Sequence, residues 1–341
     1  MIKYKFMNKL NSKFIVLLSL ITISLPTFAE DSLVIYSGRS DKFVKPVIKA
    51  FTESTGIKVI IHSGKSTGLL NKLRQEADRS GADLFLSNDA GTLQKGTEFD
   101  LFSVLPDNIK SQIPDNFRAA DNTWVGLSAR ARVLVVNNKS KAANSVSSVF
   151  DLADPQWKGR LGITNSTNES YIAGTTVYML VTGKEKTGNW LKGMKDNVEG
   201  KVFNKHSKIV KAVASGKLDV GLVNHYYIYR HLAKHPDAPL TIVMPDQSKD
   251  GIGVAWNVAG IAMVKHTKKR KLAEKLIEFL ISDAGQKQFA EVNLEYPTRK
   301  GIAASPKVPA VNSFKVADVP MSRLGTHRSA TIDLIESVGM P

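Results

Sequence analysis

The chain has 341 residues, 43% of them hydrophobic and 23% charged, an ordinary globular composition that excludes an intrinsically disordered protein. Its length suits two lobes of roughly 150 residues each. The absence of cysteine excludes a disulfide framework, thiolate metal sites and a lipid-modified N-terminal cysteine. The formal net charge of +16 leaves open nucleic acid, an anionic membrane face, an acidic transporter or a small anion as the partner.

Residues 1–29 have the pattern of a secretory signal peptide. Four lysines precede a short apolar run at 14–25, and Thr27-Phe28-Ala29 then places small residues at the −3 and −1 positions. The run is too short to span a bilayer comfortably, which disfavours a membrane anchor. Cleavage near Glu30 would leave a net charge of 16 − 4 = +12, because the segment carries four Lys and no acidic residue. We therefore expect a soluble periplasmic protein, and export argues against nucleic acid as its partner.

The first part of the mature chain repeats the order strand, polar turn, helix. Apolar runs predict strands at 32–36, 58–61 and 83–86, and the first two are followed by apolar residues at helical spacing. This order is typical of a parallel α/β sheet, in which ligands bind beyond the carboxyl ends of the strands. The turns after the three strands therefore form one wall of a candidate site: 37–40, 63–66 and 87–89.

A second α/β block is expected between about 131 and 256. Near its end, a strand at 218–223 leads directly into Asn224-His225-Tyr226-Tyr227, which opens a new helix. Two long strand candidates, 132–137 and 254–264, bracket the block and are expected to form the hinge between two lobes. A further helix is predicted at 268–282. The predicted lobes are residues 30–130 plus 257–307 at the N-terminal side, and residues 131–256 plus 308–341 at the C-terminal side.

Tyrosines are concentrated where ligands are expected to bind. Paired tyrosines more often pack in a core, but Tyr226 and Tyr227 follow the carboxyl end of a strand, which directs them towards a ligand. Before Tyr171, Ser166 and Glu169 fit a capping box, which predicts a helix that starts there. Free backbone N–H groups at such a start bind anions, so Tyr171 would lie beside a bound anion.

Sequence motifs for nucleotide binding and catalysis are incomplete. Ser63-Gly64-Lys65-Ser66 lacks the earlier glycine of a P-loop, since Val59 occupies that position. No GxSxG elbow is present, and no nucleophile–base pair or carboxylate dyad stands out. The sequence therefore predicts a binding protein and not an enzyme.

Seven segments, taken in order, resemble those of the periplasmic ferric-ion-binding proteins of iron ABC transporters, the bacterial transferrins. The likeness covers nearly the whole mature chain and implies an α/β, two-lobed, type 2 periplasmic binding protein fold with hinge strands and a ligand cleft between the lobes. The segments are VIYSGR (34–39), ADLF (82–85), WVGLSARARV (124–133), WKGRLG (157–162), NHYY (224–227), YP (296–297) and LIE (334–336).

The resemblance also implies roles for single residues. The metal ligands of the family match Tyr171, Tyr226 and Tyr227. The groups that hold an anion, or support the site, match Arg130, Ser166, Thr167, Asn168 and Asn224. A further set is expected at the edge of the site: Arg39, Ser40, Asp41, Asn88, Asp89, His206 and Arg230.

Two positions differ from other family members. Some members carry His or His-Tyr where this chain has Ser40-Asp41, and some carry a carboxylate where it has Asn88. The N-terminal lobe is therefore expected to give no direct ligand, although Asp41 or Asp89 could substitute. Carbonate, another small anion or water would then complete the coordination.

The expected cargo follows from the donor chemistry. Fe(III) is a hard ion that prefers oxygen donors, and three phenolates would neutralise its three charges. The resemblance implies a monomer that closes around ferric iron and delivers it to an inner-membrane ABC permease and its ATPase. The alternative is a protein that binds a small anion without metal through Arg130 and the helix start.

Overall fold

The computed structural model describes residues 32–140 and 145–341. The predicted signal peptide, residues 1–29, lies outside the described residues. Within the described ranges, no helix is both long enough and apolar enough to cross a membrane.

The described residues alternate between strands and helices along the chain. The strands are β1 Ser32–Ser37, β2 Lys58–Ser63, β3 Leu84–Ser87, β4 Trp124–Asn137, β5 Leu161–Gly162, β6 Val220–Asn224, β7 Leu240–Val243, β8 Trp256–Met263 and β9 Tyr296–Pro297. The helices are α1 Asp41–Thr55, α2 Ser66–Glu76, α3 Ala90–Glu98, α4 Asp107–Lys110, α5 Glu169–Thr182, α6 Lys184–Val198, α7 His206–Ala214, α8 His225–Leu232, α9 Arg270–Ile281, α10 Asp283–Asn293, α11 Arg323–Thr326 and α12 Arg328–Val338.

One curled path of strands runs through both halves of the molecule in the order β2-β1-β3-β8-β4-β6-β5, and β7 and β9 also pair with β4. β1 pairs in parallel with β2 and β3, as the repeated pattern predicts, whereas β8 runs antiparallel to β3 and β4. Beyond β4, β6 and β7 pair antiparallel to it, and β5 pairs in parallel with β6.

β4 belongs to both halves of the sheet and is buried along its whole length. It pairs with β8 as far as Ala131, and from Arg132 onwards it pairs with β6. The predicted hinge strands at 132–137 and 254–264 correspond to the second part of β4 and to β8. A strand that leaves one half-sheet and enters the other is suited to be a hinge. The bounds of the two lobes remain a prediction.

The helix α1 forms where the apolar spacing predicts it. Its buried face consists of Phe43, Val44, Val47, Ile48 and Phe51. The helix ends at Gly56, which has φ +74° and donates its N–H to the carbonyl of Thr52. Glycine adopts this left-handed conformation without the steric cost of a Cβ atom, so the chain can turn directly into β2.

A buried ion pair lies under the first wall of the cleft. The Arg39 guanidinium bonds both carboxylate oxygens of Glu295, at 2.6 and 2.8 Å, and the hydroxyl of Ser128 at 3.0 Å. Arg39 and Glu295 are almost completely buried. Two opposite charges held this way are stable together, but either one alone would be an uncompensated buried charge.

Glu295→Gln should therefore lower the free energy of unfolding by about 3–5 kcal/mol, because it leaves the Arg39 charge unpaired in the interior. Urea unfolding would measure the change. The matched control is Glu53→Gln, since Glu53 forms an exposed pair with Lys49 and should change the stability by less than about 1 kcal/mol. Equal effects of the two substitutions would show that the buried charge of Arg39 does not depend on Glu295.

Candidate metal centre

The first wall of the cleft is built from the turns at the carboxyl ends of β1, β2 and β3. Gly38 donates its N–H to Leu86 at 2.7 Å, and Asn88 donates its N–H to the Ser66 hydroxyl at 3.1 Å. A Cβ atom on Gly38 would overlap the Ser66 side chain, so this close approach requires glycine. The three turns predicted to form one wall are therefore brought together.

The second wall is built from the starts of α5 and α8, which Asn224 ties together. Asn224 lies at the end of β6 and precedes α8. Its amide nitrogen donates to the Ser170 hydroxyl in the first turn of α5 at 3.3 Å, and its amide oxygen accepts from Arg132 at 3.0 Å. Tyr171 and the pair Tyr226–Tyr227 thus project from the first turns of two helices that one side chain connects.

The start of α5 differs from the prediction. The N-cap is Asn168, whose side chain accepts from the N–H groups of Ser170 and Tyr171, so the predicted capping box with Ser166 as the cap is wrong. The Ser166 N–H donates to the carbonyl of Pro341, and the Thr167 hydroxyl donates to Asn165. The Asn168 amide reaches the first free N–H groups, and this shifts the helix start towards the C-terminus by two residues.

Tyr226 and Tyr227 are neighbours in space as well as in sequence. Their ring centroids lie 4.4 Å apart, and the Tyr226 ring also contacts Phe43 on α1 of the opposite wall at 5.4 Å. Burial is the main cause that raises the pKa of the Tyr227 phenol, and the adjacent Tyr226 adds to it. The Tyr226 ring therefore lies where α8 meets the opposite wall, with Tyr227 beside it.

The third tyrosine, Tyr171, lies deeper. It is 1% exposed, and its hydroxyl oxygen has no hydrogen-bond partner among the described residues. No ring contact joins it to Tyr226 or Tyr227 in the described part of the chain, but the Arg132 guanidinium interacts electrostatically with both Tyr171 and Tyr226. Tyr178, two turns further along α5, is fully buried inside the lobe.

Two arginines on β4 carry positive charge into the cleft. Arg130 and Arg132 are each 1% exposed, and neither forms an ion pair with a carboxylate of the described residues. Arg130 instead donates to the side chain and the carbonyl of Asn88, and burial is the first cause that lowers the pKa of both guanidinium groups. A pair of buried cations without a carboxylate favours negative charge nearby.

The carboxylates considered as ligands on the first wall are already engaged. Asp89 is the N-cap of α3, accepts from the N–H and the hydroxyl of Thr92, and pairs with Arg328 at 3.3 Å. Asp41 is partly exposed and forms an ion pair with Lys45 at 2.8 Å. Both carboxylates have protein partners in this arrangement, and a direct metal ligand from either one stays a prediction.

The remaining residues of the predicted set are more scattered. Ser40 is exposed, and Arg39 is held in its ion pair within the lobe. Arg230 lies over the Phe43 ring and bonds the carbonyl of Val292. His206 is buried against the Tyr227 ring, with centroids 5.1 Å apart.

Glu169 lies in the cleft. The sequence pattern predicted it only as a residue of a capping box. Its carboxylate accepts from the Ser66 hydroxyl and the Asn88 amide, both at 3.4 Å, and so bridges the two walls. Burial first, and the negative charge of Asp89 second, raise the pKa of Glu169 to about 7. The signal available in the sequence was its position two residues before the predicted ligand Tyr171.

These features define the class of protein. Two α/β halves share the strand β4, and a polar cleft lies between them. A family model described as bacterial extracellular solute-binding protein matches residues 47–315, and the chain belongs to that family. The predicted two-lobed α/β fold and the predicted relationship to ferric-ion-binding proteins are confirmed by the similar proteins.

Curated relatives cover nearly the whole chain. Iron uptake protein A1 of a Synechocystis species is 31% identical over 317 residues, which is 91% of this chain and 88% of the relative. The Fe(3+)-binding periplasmic protein of Serratia marcescens is 28% identical over 314 residues, which is 92% of this chain and 91% of that one.

Solved structures show the same architecture. Iron-bound HitA from Pseudomonas aeruginosa has a TM-score of 0.84 at 27% identity, covering 91% of this chain and 99% of that chain. A Trichodesmium protein in complex with iron and citrate ligands has a TM-score of 0.80 at 30% identity, covering 91% of this chain and 100% of that chain.

The buried phenols predict how stability depends on alkaline pH. A phenol in the unfolded chain ionises near pH 10, whereas burial raises the pKa of Tyr229 to about 12 and also raises those of Tyr171, Tyr178 and Tyr227. The folded metal-free protein keeps protons that the unfolded chain releases, so the free energy of unfolding should fall as pH rises from about 10 to about 12.

Thermal melting of the metal-free protein across this range would measure the effect. Tyr178→Phe removes one of the buried phenols and should lose stability less steeply with pH than the wild type. Identical slopes for the two proteins would contradict the assignment of the effect to buried phenols.

Proposed function

We propose that this protein binds ferric iron in the periplasm and delivers it to an inner-membrane ABC permease and its ATPase. The cleft holds the iron through the phenolates of Tyr171, Tyr226 and Tyr227. The protein acts as a monomeric carrier and catalyses no reaction. The relatives named for iron uptake and Fe(3+) binding support this function.

The main structural support for the proposal is the side chain of Asn224, which connects the starts of α5 and α8. Asn224 joins the first turn of α5, which bears Tyr171, to the end of β6, which leads into Tyr226 and Tyr227. Arg132 holds the same Asn224 and lies within electrostatic reach of Tyr171 and Tyr226. Such an arrangement directs phenols from two helices towards one buried region of positive charge.

The charge balance selects a trivalent ion. Without metal, burial raises the pKa of Tyr171 and Tyr227, so both phenols stay protonated at neutral pH. A bound cation of high charge reverses this preference and drives the protons off. Three phenolates neutralise Fe(III), whereas a divalent ion would leave an excess negative charge in the interior.

No cluster of His, Asp or Glu suited to hold a metal occurs among residues 32–140 and 145–341. Phenolate oxygens are hard donors of the kind that Fe(III) prefers. A small anion such as carbonate is proposed to fill the remaining coordination positions. Arg130, Asn224 and the turn at Ser166, Thr167 and Asn168 are its proposed surroundings. The citrate found with iron in the Trichodesmium structure supports a carboxylate-type anion there.

Closure of the cleft is proposed to accompany binding. Glu169 reaches Ser66 and Asn88 across the cleft, and Arg328 reaches Asp89. These contacts are available only when the two walls are close together. The permease would then recognise the closed form, because binding proteins of this architecture close around their ligands by a hinge.

The test is the colour of the loaded protein, since tyrosinate–Fe(III) proteins are red-orange. Purified protein with Fe(III) should become coloured, and the double variant Tyr226→Phe, Tyr227→Phe should stay colourless. Each single variant, including Tyr171→Phe, should weaken Fe(III) binding at least about 100-fold, because the loss of a ligand exceeds the loss of its outer-shell support.

The matched control is Tyr229→Phe, which lies on the same helix and should keep both colour and affinity. A wild-type protein that stays colourless with excess Fe(III) at neutral pH would contradict the proposal. Calorimetry with phosphate, sulfate and carboxylates, with iron rigorously removed, tests the anion-binding alternative. Tight binding of an anion that Fe(III) does not alter would favour that alternative.

A further inference from the structure

His206 is a buried histidine with an unpaired ring nitrogen. It is the first residue of α7 and is 5% exposed. Its Nδ1 atom is buried and has no hydrogen-bond partner among the described residues. Its ring lies against Tyr227, with centroids 5.1 Å apart and planes tilted by 36°.

A second buried histidine shows what a structural role looks like in this chain. The Nδ1 atom of His225 accepts from the Ala131 N–H at 3.2 Å, and its Nε2 atom bonds the Leu294 carbonyl at 2.7 Å. Both of its nitrogens are used, as expected for a histidine that only supports the fold. His206 is buried to a similar degree, but its Nδ1 atom has no such partner among the described residues. An unpaired buried nitrogen lowers the stability of the fold unless a ligand binds to it.

The surroundings of His206 point to the same region as the tyrosines. Arg130 and Arg132 both act on it electrostatically, and Lys42 lies 5.9 Å from the Tyr227 ring. These neighbours are cations and do not supply an acceptor for an imidazole N–H. The nearest aromatic partner is a residue proposed to bind iron.

We propose that His206 is a fourth protein donor of the ferric site, binding the iron through an imidazole nitrogen beside the Tyr227 phenolate. This inference rests on the proposed function. Imidazole is a common ligand of iron, and as a neutral donor it leaves the balance of three phenolates against three positive charges unchanged. With His206 in one coordination position of the iron, fewer positions remain for the proposed anion or water.

The spacing of the two rings is compatible with a shared ion. Donor atoms bound to one metal at about 2 Å lie roughly 3 Å apart when they occupy neighbouring positions. Two rings that reach neighbouring coordination positions from different helices lie side by side with their planes tilted, as the rings of His206 and Tyr227 do. The two helices pack against each other, so neither ring has to cross the cleft.

The test uses protein labelled with ¹⁵N in its histidines, loaded with Fe(III), and pulsed electron paramagnetic resonance. The wild type should show a histidine nitrogen coupled directly to the iron, and His206→Gln should lose this coupling while it remains red-orange. The control His235→Gln, at an exposed site after α8, should keep it. A coloured wild type without the coupling, or a coupling that survives in His206→Gln, would overturn the inference and leave ferric binding intact.

A second variant separates a ligand from a structural histidine. His206→Phe should melt at the same or a higher temperature than the wild type when both are metal-free, because it removes an unpaired polar atom. It should also bind Fe(III) about tenfold or more weakly. A lower melting temperature with unchanged Fe(III) affinity would show that His206 only supports the fold. A wild type that takes up no Fe(III) would instead overturn the proposed function, and the His206 donor with it.

Discussion

Two buried positive charges, on Arg130 and Arg132, set the chemistry of this cleft. Neither guanidinium forms an ion pair with a carboxylate of the described residues. Glu295 is bound to Arg39, and Asp89 is bound to Thr92 and Arg328. Buried cations without a carboxylate favour negative charge on the groups around them. Phenols can supply that charge only by losing protons, which burial resists and a highly charged metal ion promotes. In the proposed site, metal binding and phenol ionisation are therefore a single event.

The path of the backbone brings these two charges together where the half-sheets meet. β4 carries both arginines and crosses from one half-sheet to the other, so the charged region lies at the junction of the lobes. Asn224 ends β6 and ties α5 to α8, which places Tyr171 and the tandem tyrosines in first turns that share a side chain. Because the proposed hinge, the cations and the phenols are built on neighbouring elements, a ligand held by the phenols in the proposed site would also act on the hinge.

The local patterns in the sequence predicted the parallel strands, the helices that follow the first two of them and the tyrosines at the end of β6. These features depend on neighbouring residues, and periodicity and turn chemistry reveal them. The partner of Arg39 could not be found in this way, because Glu295 lies 256 positions away. Glu169 was considered only as a capping residue, since its contacts with Ser66 and Asn88 depend on how the two walls meet. The cap itself was misplaced because Ser166 and Asn168 are both good caps, and only the backbone path distinguishes them.

The most direct measurement is a crystal structure of the iron-loaded protein with anomalous diffraction recorded at the iron absorption edge. We expect one iron peak in the cleft, with the oxygens of Tyr171, Tyr226 and Tyr227 all bound to it at about 2 Å. An iron peak held by carboxylates, or one that leaves Tyr171 unbound in the interior, would contradict the claim that three phenolates balance the charge of the ion.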